Sequence, residues 1–285
     1  LRLAEAFQSH RQSIADALEI DTGRRKIAGL EVDGVIASLR GWVAASPGLL
    51  PSGWTPGRHS PHIKHAPQFV PYALVGVISP WNFPFTLSMI DTIPALLAGA
   101  AVIVKPSEVT PRFAEAVQAA ILDAGLADQL AFVLGAGDVG AGVIDHADAV
   151  CFTGSVPTGR KVAAQAASRL IPAFLELGGK DPLLVLASAD IEKASDAALR
   201  GSVLSTGQAC QSIERIYVDR TIHDAFLARL VEKANATRLN WPEIEKGEIG
   251  PIIFEAQAQT LKHQLSDAYA KGARALAGGE IETHG

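Results

Sequence analysis

Among the 285 residues of this chain, Cys210 is the strongest candidate for covalent chemistry. It lies in Gly207-Gln208-Ala209-Cys210-Gln211-Ser212, between a helical pattern and an apolar run, where small neighbours leave a thiol open to an electrophile. The other cysteine, Cys151, sits inside the apolar run 149–152 and is expected to be a small buried hydrophobe without chemistry. Glu176 opens Glu176-Leu177-Gly178-Gly179-Lys180, so a carboxylate that can act as a general base precedes two glycines that admit a backbone or a flat ring. In Pro80-Trp81-Asn82-Phe83-Pro84, the Asn82 amide can donate to a developing oxyanion; its commoner role would be to brace a proline-rich turn. Lys105-Pro106-Ser107-Glu108 offers a cation and an acid that could grip sugar hydroxyls, or could simply be a solvated loop pair.

Two glycine-rich segments could meet phosphate. Gly135-Ala136-Gly137-Asp138-Val139-Gly140 spells G-x-G-x-x-G, but no acidic residue closes a following strand about 20 residues on, so a plain turn into a short helix is the better reading. Phe152-Thr153-Gly154-Ser155-Val156-Pro157-Thr158-Gly159 comes directly off a strand and places Ser155 as a helix cap, leaving backbone N–H groups for an anion. A capped helix start that binds nothing is an equal reading of this segment alone. His59, His62 and His65 are spaced to alternate along an extended chain, so they read as surface residues and no metal site is expected.

These residues need a scaffold, and the pattern supplies an α/β one. Strand-length apolar runs at 73–79, 102–104, 130–134, 149–152, 173–176, 183–186 and 215–218 alternate with helical periodicity. A helix over 87–98 should bury Leu87, Ile90, Ile93, Leu96 and Leu97 and kink at Pro94. Thr110 should cap a helix burying Phe113, Val117, Ala120 and Ile121 and ending at Gly125, and Thr221 with Asp224 should cap one carrying Phe226, Leu227, Leu230 and Val231. Further helices are expected over 157–168 and from Asp190. Residues 54–71, with four prolines, interrupt the alternation and read as an edge hairpin or arm.

Composition narrows the class. Hydrophobic residues make up 48% and charged residues 19%, with a net charge of −5, which argues for a large core and against disorder or a polybasic nucleic-acid surface. The longest apolar run, residues 95–104, falls far short of the roughly 20 residues that span a bilayer, so no membrane segment is expected. Two cysteines cannot build a disulfide framework, and a reducing cytoplasmic setting follows as the default.

Taken together, Pro80-Trp81-Asn82-Phe83-Pro84, Lys105-Pro106-Ser107-Glu108, Phe152-Thr153-Gly154-Ser155, Glu176-Leu177-Gly178-Gly179-Lys180, Gly207-Gln208-Ala209-Cys210 and Ile249-Gly250-Pro251 resemble the motifs of the aldehyde dehydrogenase superfamily, in family order. The resemblance implies a Rossmann-like open parallel sheet with flanking helices, followed by the start of a second α/β catalytic domain. It implies a cofactor domain at 1–53 and 72–178, a bridging or oligomerisation arm at 54–71, and a partial catalytic domain at 179–285. It further implies oxidation of a small-molecule aldehyde to a carboxylic acid with NAD or NADP, through a thioester on Cys210, with Asn82 at the oxyanion and Glu176 activating water. Trp81, Lys105, Glu108, Gly154, Ser155, Gly159 and Gly178 would contact the cofactor, and Glu108 would favour NAD by repelling a 2′-phosphate. The Gly135–Gly140 match is then a decoy, and the arm implies a homodimer or homotetramer at full length.

The chain also departs from the family. Ser205 stands where an asparagine is common, five residues before the nucleophile, and a local effect on how the cysteine loop is anchored is expected. The later Glu-x-Phe-Gly-Pro motif is absent and the chain opens on Leu1, which suggests a fragment truncated at both ends that would bind cofactor poorly. Two other readings compete: an acylating, coenzyme A-dependent semialdehyde dehydrogenase, which Glu176 opposes, and a non-catalytic remnant, which the Cys210, Glu176 and Asn82 set opposes.

Overall fold

The computed structural model describes residues 1–284. It divides into two compact units, Leu1–Ala17 with Gly29–Glu176 and Leu18–Ala28 with Leu177–Gly285. Three helices, Arg2–Ser9, Arg11–Thr22 and Arg25–Ala45, precede the first strands; the sequence reading, drawn to the motif-bearing segments, assigns no element there. Within residues 54–71, β1 (Thr55–Pro56) pairs antiparallel with β2 (Lys64–His65), an exposed hairpin.

The first unit is built on five parallel strands: β3 (Leu74–Ile78), β4 (Ala101–Lys105), β5 (Leu130–Phe132), β6 (Ala149–Thr153) and β7 (Ala173–Glu176), in the spatial order β5-β4-β3-β6-β7. Val75, Val77, Val102, Val104, Val150 and Phe152 are buried, as expected where helices cover both faces of a parallel sheet. Phe7, Phe85, Phe113 and Phe132 form a chain of ring contacts with centroids 5.1–6.0 Å apart. The second unit pairs β8 (Asp181–Val185) with β9 (Ile213–Val218) in parallel, joined through the helix Ile191–Val203. Val185, Ala198 and Phe226 are the centre of its core, with Leu183, Ile216 and Leu230 packed around them.

Several local expectations need correction. The helix after β3 breaks at Ile90–Asp91, not at Pro94, giving Pro84–Met89 and Thr92–Ala98. Pro94 falls in the first turn of the second piece, where a missing N–H costs little. Ile90 and Leu97, expected inside, are exposed. Thr110 does not cap its helix, which spans Phe113–Asp123 with Arg112 at the cap position; the Thr110 hydroxyl donates to the Trp81 carbonyl at 3.2 Å. Likewise the helix His223–Ala236 has Ile222 at its cap, and Thr221 donates to Asp219. The strand after Gly125 stops at Phe132, and β8 begins at Asp181.

Gly76 shows how closely a helix lies on the sheet. A Cβ there would sit 2.6 Å from Val143 in the helix Gly137–His146, whereas one at Gly142 in that same helix would meet nothing within 4 Å. Gly76→Ala should therefore destabilise the chain by about 1–3 kcal/mol through overpacking. Gly142→Ala should stabilise it by about 0.5–1 kcal/mol through helix propensity, both read by urea denaturation.

Candidate functional site

Every site residue expected in the first unit leaves the sheet at its carboxyl edge. Trp81 and Asn82 follow β3, Lys105 ends β4 with Glu108 beyond it, Gly154 and Ser155 follow β6, and Glu176 ends β7. The order β5-β4-β3-β6-β7 places the reversal of strand order between β3 and β6, where the following loops run to opposite sides. Neighbouring exits are tied together: the Ser79 N–H donates to the Lys105 carbonyl at 3.1 Å and the Gly154 N–H to the Glu176 carbonyl at 3.0 Å.

The Trp81-Asn82-Phe83 turn is held from both sides. Thr110 takes the Trp81 carbonyl, as above. Glu31, only 4% exposed, accepts the N–H groups of Phe85 at 3.2 Å and Thr86 at 3.1 Å, so its carboxylate sits on the amino end of the helix that begins at Pro84. Sequence reading missed Glu31, which lies 51 residues before Asn82 in a stretch without a motif.

Lys105 is nearly buried, and its ammonium lies 2.7 Å from the more exposed Glu108 carboxylate. Burial opposes the Glu108 charge, yet the hydrogen bond from Lys105, a backbone N–H and the Lys105 charge together hold the carboxyl below its usual range. Ser155 caps the helix Val156–Ser168, accepting the Thr158 N–H at 3.4 Å, and Pro157 occupies its first turn. This amino end opens beside the reversal and can hold an anion. Gly154 is needed because a Cβ would lie 2.6 Å from the Phe152 ring, and Gly159 is buried one turn on. The Gly135–Gly140 segment instead leaves β5, an edge strand two places from the reversal, and runs into the helix Gly137–His146.

In the second unit Cys210 is exposed, on a loop under strain. Ser205, Thr206 and Gly207 have successive φ values of 57°, 61° and 69°. For each of the two non-glycine residues this left-handed conformation costs about 1–2 kcal/mol. Hydrogen bonds offset it. Arg24 donates to the Ser205 hydroxyl, and Thr206 donates to the Gly250 carbonyl at 3.0 Å. The Gln208 amide donates to Ser205 at 3.1 Å and Pro251 at 3.0 Å, while its carbonyl accepts from Ile253 at 2.9 Å. Ser205 thus anchors the loop through its hydroxyl to Arg24, and Ile249-Gly250-Pro251 supplies the opposing carbonyls. On the other side of Cys210, a Cβ on Gly179 would lie 3.7 Å from the Cys210 carbonyl, so the Gly178-Gly179 turn runs along the Cys210 backbone.

Cys151 is buried on β6; burial, with the charge of Asp91 adding, pushes its thiol up to about 12. His59, His62 and His65 are exposed. Among the described residues, no group of three His, Cys, Asp or Glu could hold a metal ion and no helix is long and apolar enough to cross a membrane.

The sequence pattern of the Aldehyde dehydrogenase family matches residues 1–285. A protein of Mycolicibacterium smegmatis that bears the provisional name succinate-semialdehyde dehydrogenase (NADP+) is 39% identical over 287 residues, covering 98% of this chain and 55% of that protein. The structure of PutA from Anabaena variabilis superposes with a TM-score of 0.95 at 50% identity, over 99% of this chain and 60% of that one. The NAD+ complex of an aldehyde dehydrogenase from Bacillus cereus does so with a TM-score of 0.90 at 28% identity, over 99% and 58%. The chain thus spans a little over half the length of these relatives.

The two thiols should separate cleanly on alkylation. At pH 7 a thiol with a pKa of about 12 is thiolate to the order of one part in 10⁵. Iodoacetamide should therefore modify the exposed Cys210 in the native chain and reach Cys151 only after unfolding, read by peptide mass spectrometry; native labelling of Cys151 at a comparable rate would contradict the assignment.

Proposed function

This chain belongs to the aldehyde dehydrogenase family, and from that premise we propose that it carries the nucleophile, base and cofactor edge for oxidising an aldehyde to a carboxylic acid with NAD(P)+. The observation that supports this reading most strongly is the exit of residues 81–82, 105–108, 154–159 and 176 from one sheet edge at its reversal. In this reading residues 1–53 and 72–178 serve cofactor binding, 54–71 the arm, and 179–285 part of the catalytic domain.

The residues of the edge fit a dinucleotide. The amino end of the Val156–Ser168 helix suits a pyrophosphate, Gly154 and Gly159 keep the approach open, and Lys105 and Glu108 suit ribose hydroxyls. Trp81 lines that edge, and at Gly178, where a Cβ would meet nothing within 4 Å, a flat ring has room. Glu108, kept ionised by Lys105, repels a 2′-phosphate, which favours NAD; the NADP+ in the name of the M. smegmatis relative is the alternative.

The chemistry follows from the side chains. The Cys210 thiolate attacks the aldehyde carbon, the C–S bond forms, and the carbonyl electron pair moves to oxygen. Donation from the Asn82 amide and the Cys210 backbone N–H stabilises that oxyanion. When bound, the nicotinamide ring supplies the acceptor for the hydride that leaves this carbon, so that a thioester remains on Cys210. Glu176 takes a proton from water, the water oxygen attacks the thioester, and Cys210 leaves as thiolate with the carboxylic acid released. Such a thiol needs a reducing, cytoplasmic setting. Trp54, Ile63, Phe69 and Val70 are exposed on or beside the hairpin, an apolar surface that suits pairing with another copy of the chain.

An activated ester tests the cysteine and base steps without a hydride acceptor. With p-nitrophenyl acetate, mass spectrometry should find the acetyl group on Cys210, and none there in Cys210→Ala. Glu176→Gln should lengthen the lifetime of that acyl group by about 10²-fold or more. Equal lifetimes in the two chains would overturn the role given to Glu176.

A further inference from the structure

The turn before the long helix Arg25–Ala45 carries a buried guanidinium that the proposed chemistry does not use. Arg24 is 4% exposed, and Ser205, to whose hydroxyl it donates, is 3% exposed. Asn240 donates to the Gly23 carbonyl at 3.2 Å, and a Cβ on Gly23 would lie 2.6 Å from Pro251, so the Arg24 turn rests on the segment 240–251. The same segment receives the Thr206 hydroxyl at the Gly250 carbonyl. A Cβ on Gly250 would lie 3.3 Å from the Arg24 Cγ, so a side chain there would crowd the Arg24 stem. From Ser205 to the thiol the chain makes two consecutive turns: the Gln208 N–H donates to the Ser205 carbonyl and the Ser212 N–H to the Ala209 carbonyl, each at 3.1 Å. Ser205, Gln208 and Ser212 are buried, whereas Cys210 in the second turn is exposed. The first turn is the strained one, with Ser205 and Thr206 at φ 57° and 61°, and non-glycine residues leave that region unless their surroundings hold them.

We propose that Arg24 is a positioning residue for Cys210 and acts through Ser205: its hydrogen bond keeps the 205–208 turn left-handed, and that turn fixes the direction of the Cys210 backbone N–H relative to the thiol. When the bond is lost, Ser205 and Thr206 relax toward right-handed or extended backbone and the 209–212 turn swings with them. The thiol stays exposed, but the N–H no longer meets the oxygen of a carbonyl that the sulfur attacks. The consequence is selective. Acylation builds negative charge on that oxygen and needs the donor, whereas alkylation by iodoacetamide displaces iodide from a saturated carbon and needs only an accessible thiolate. The inference rests on the nucleophile role proposed above for Cys210. A cavity of about 60 Å³ adjoins Arg24, Ser205, Thr206 and Asn240, and its lining includes the exposed Lys26 and Glu248, so it opens to solvent. Truncating Arg24 enlarges this cavity and gives a free guanidinium ion a place beside Ser205.

Arg24→Ala, Ser205→Ala and the double variant of the 285-residue chain test this, each treated separately with p-nitrophenyl acetate and with iodoacetamide and followed by mass spectrometry. With the ester, the Cys210 sulfur bonds to the acetyl carbon, the carbonyl electron pair moves to oxygen and returns, and p-nitrophenolate leaves. Each single variant should acylate about 10-fold or more slowly while alkylating Cys210 within about 3-fold of the native rate. Because both act through one bond, the double variant should acylate no more slowly than the slower single variant. Millimolar guanidinium chloride should restore acylation to Arg24→Ala and change neither chain that carries Ser205→Ala. Losses that multiply in the double variant, equal losses of acylation and alkylation, or no rescue by guanidinium would each overturn the proposal. Labelling of Cys151 reports unfolding in the same spectra. Should Arg24→Ala unfold, Ser205→Ala decides, since it removes a single oxygen atom: acylation at the native rate overturns the proposal, and a selective loss of acylation supports it. No acetyl group on Cys210 in the native chain would overturn the nucleophile reading and this inference together, whereas equal acetylation in all four chains would overturn this inference alone.

Discussion

A parallel sheet that grows to both sides of its first strand must reverse direction once, and that constraint organises the first unit. β4 and β5 are added on one side of β3, while β6 and β7 are added on the other. The loops leaving β3 and β6 therefore diverge, and the amino end of the Val156–Ser168 helix is left open beside the divergence. A proline-rich turn, a Lys–Glu pair, a capped helix and a terminal Glu are each unremarkable alone. At one sheet edge they become a polar rim on an apolar scaffold. The scaffold is closely packed: Gly76 lets a helix lie against β3, and a chain of phenylalanine rings runs through the interior.

The second unit solves a different problem, holding an exposed thiol in a defined place. An exposed loop of small residues would ordinarily be mobile. Here two non-glycine residues accept left-handed backbone, and hydrogen-bond partners hold the loop there: buried Arg24, from the turn before the long helix Arg25–Ala45, and the backbone of residues 250–253. Two stretches far away in sequence thus converge on residues 205–208, so the strain is stored beside Cys210.

The elements that carried motifs were legible because strand exits at a carboxyl edge combine two independent signals, apolar runs and polar loop residues. β7 and the capped start of the helix at Ser155 followed from this directly. What the sequence hid was long-range. Nothing near Glu31 announces that it caps a helix beginning at Pro84, and nothing near Arg24 announces that it bonds Ser205. Thr110 looked like a helix cap because its spacing was right; tertiary structure used its hydroxyl to hold Trp81 instead. The G-x-G-x-x-G segment matched a pattern whose meaning depends on which strand precedes it, and only the strand order shows that this strand is an edge. Ile249-Gly250-Pro251 was visible as a motif, but its work as a backbone anchor for the cysteine loop could not be read from residue types.

In the proposed function, the edge at the reversal between β3 and β6 receives the dinucleotide. Amide chemical-shift mapping of the ¹⁵N-labelled chain titrated with NAD+ tests it most directly, since it registers weak binding residue by residue. Perturbations centred on Gly154 to Gly159, with Lys105 to Glu108 and Trp81, are the predicted result. Shifts confined to Gly135 to Gly140, or none anywhere at millimolar NAD+, would contradict it.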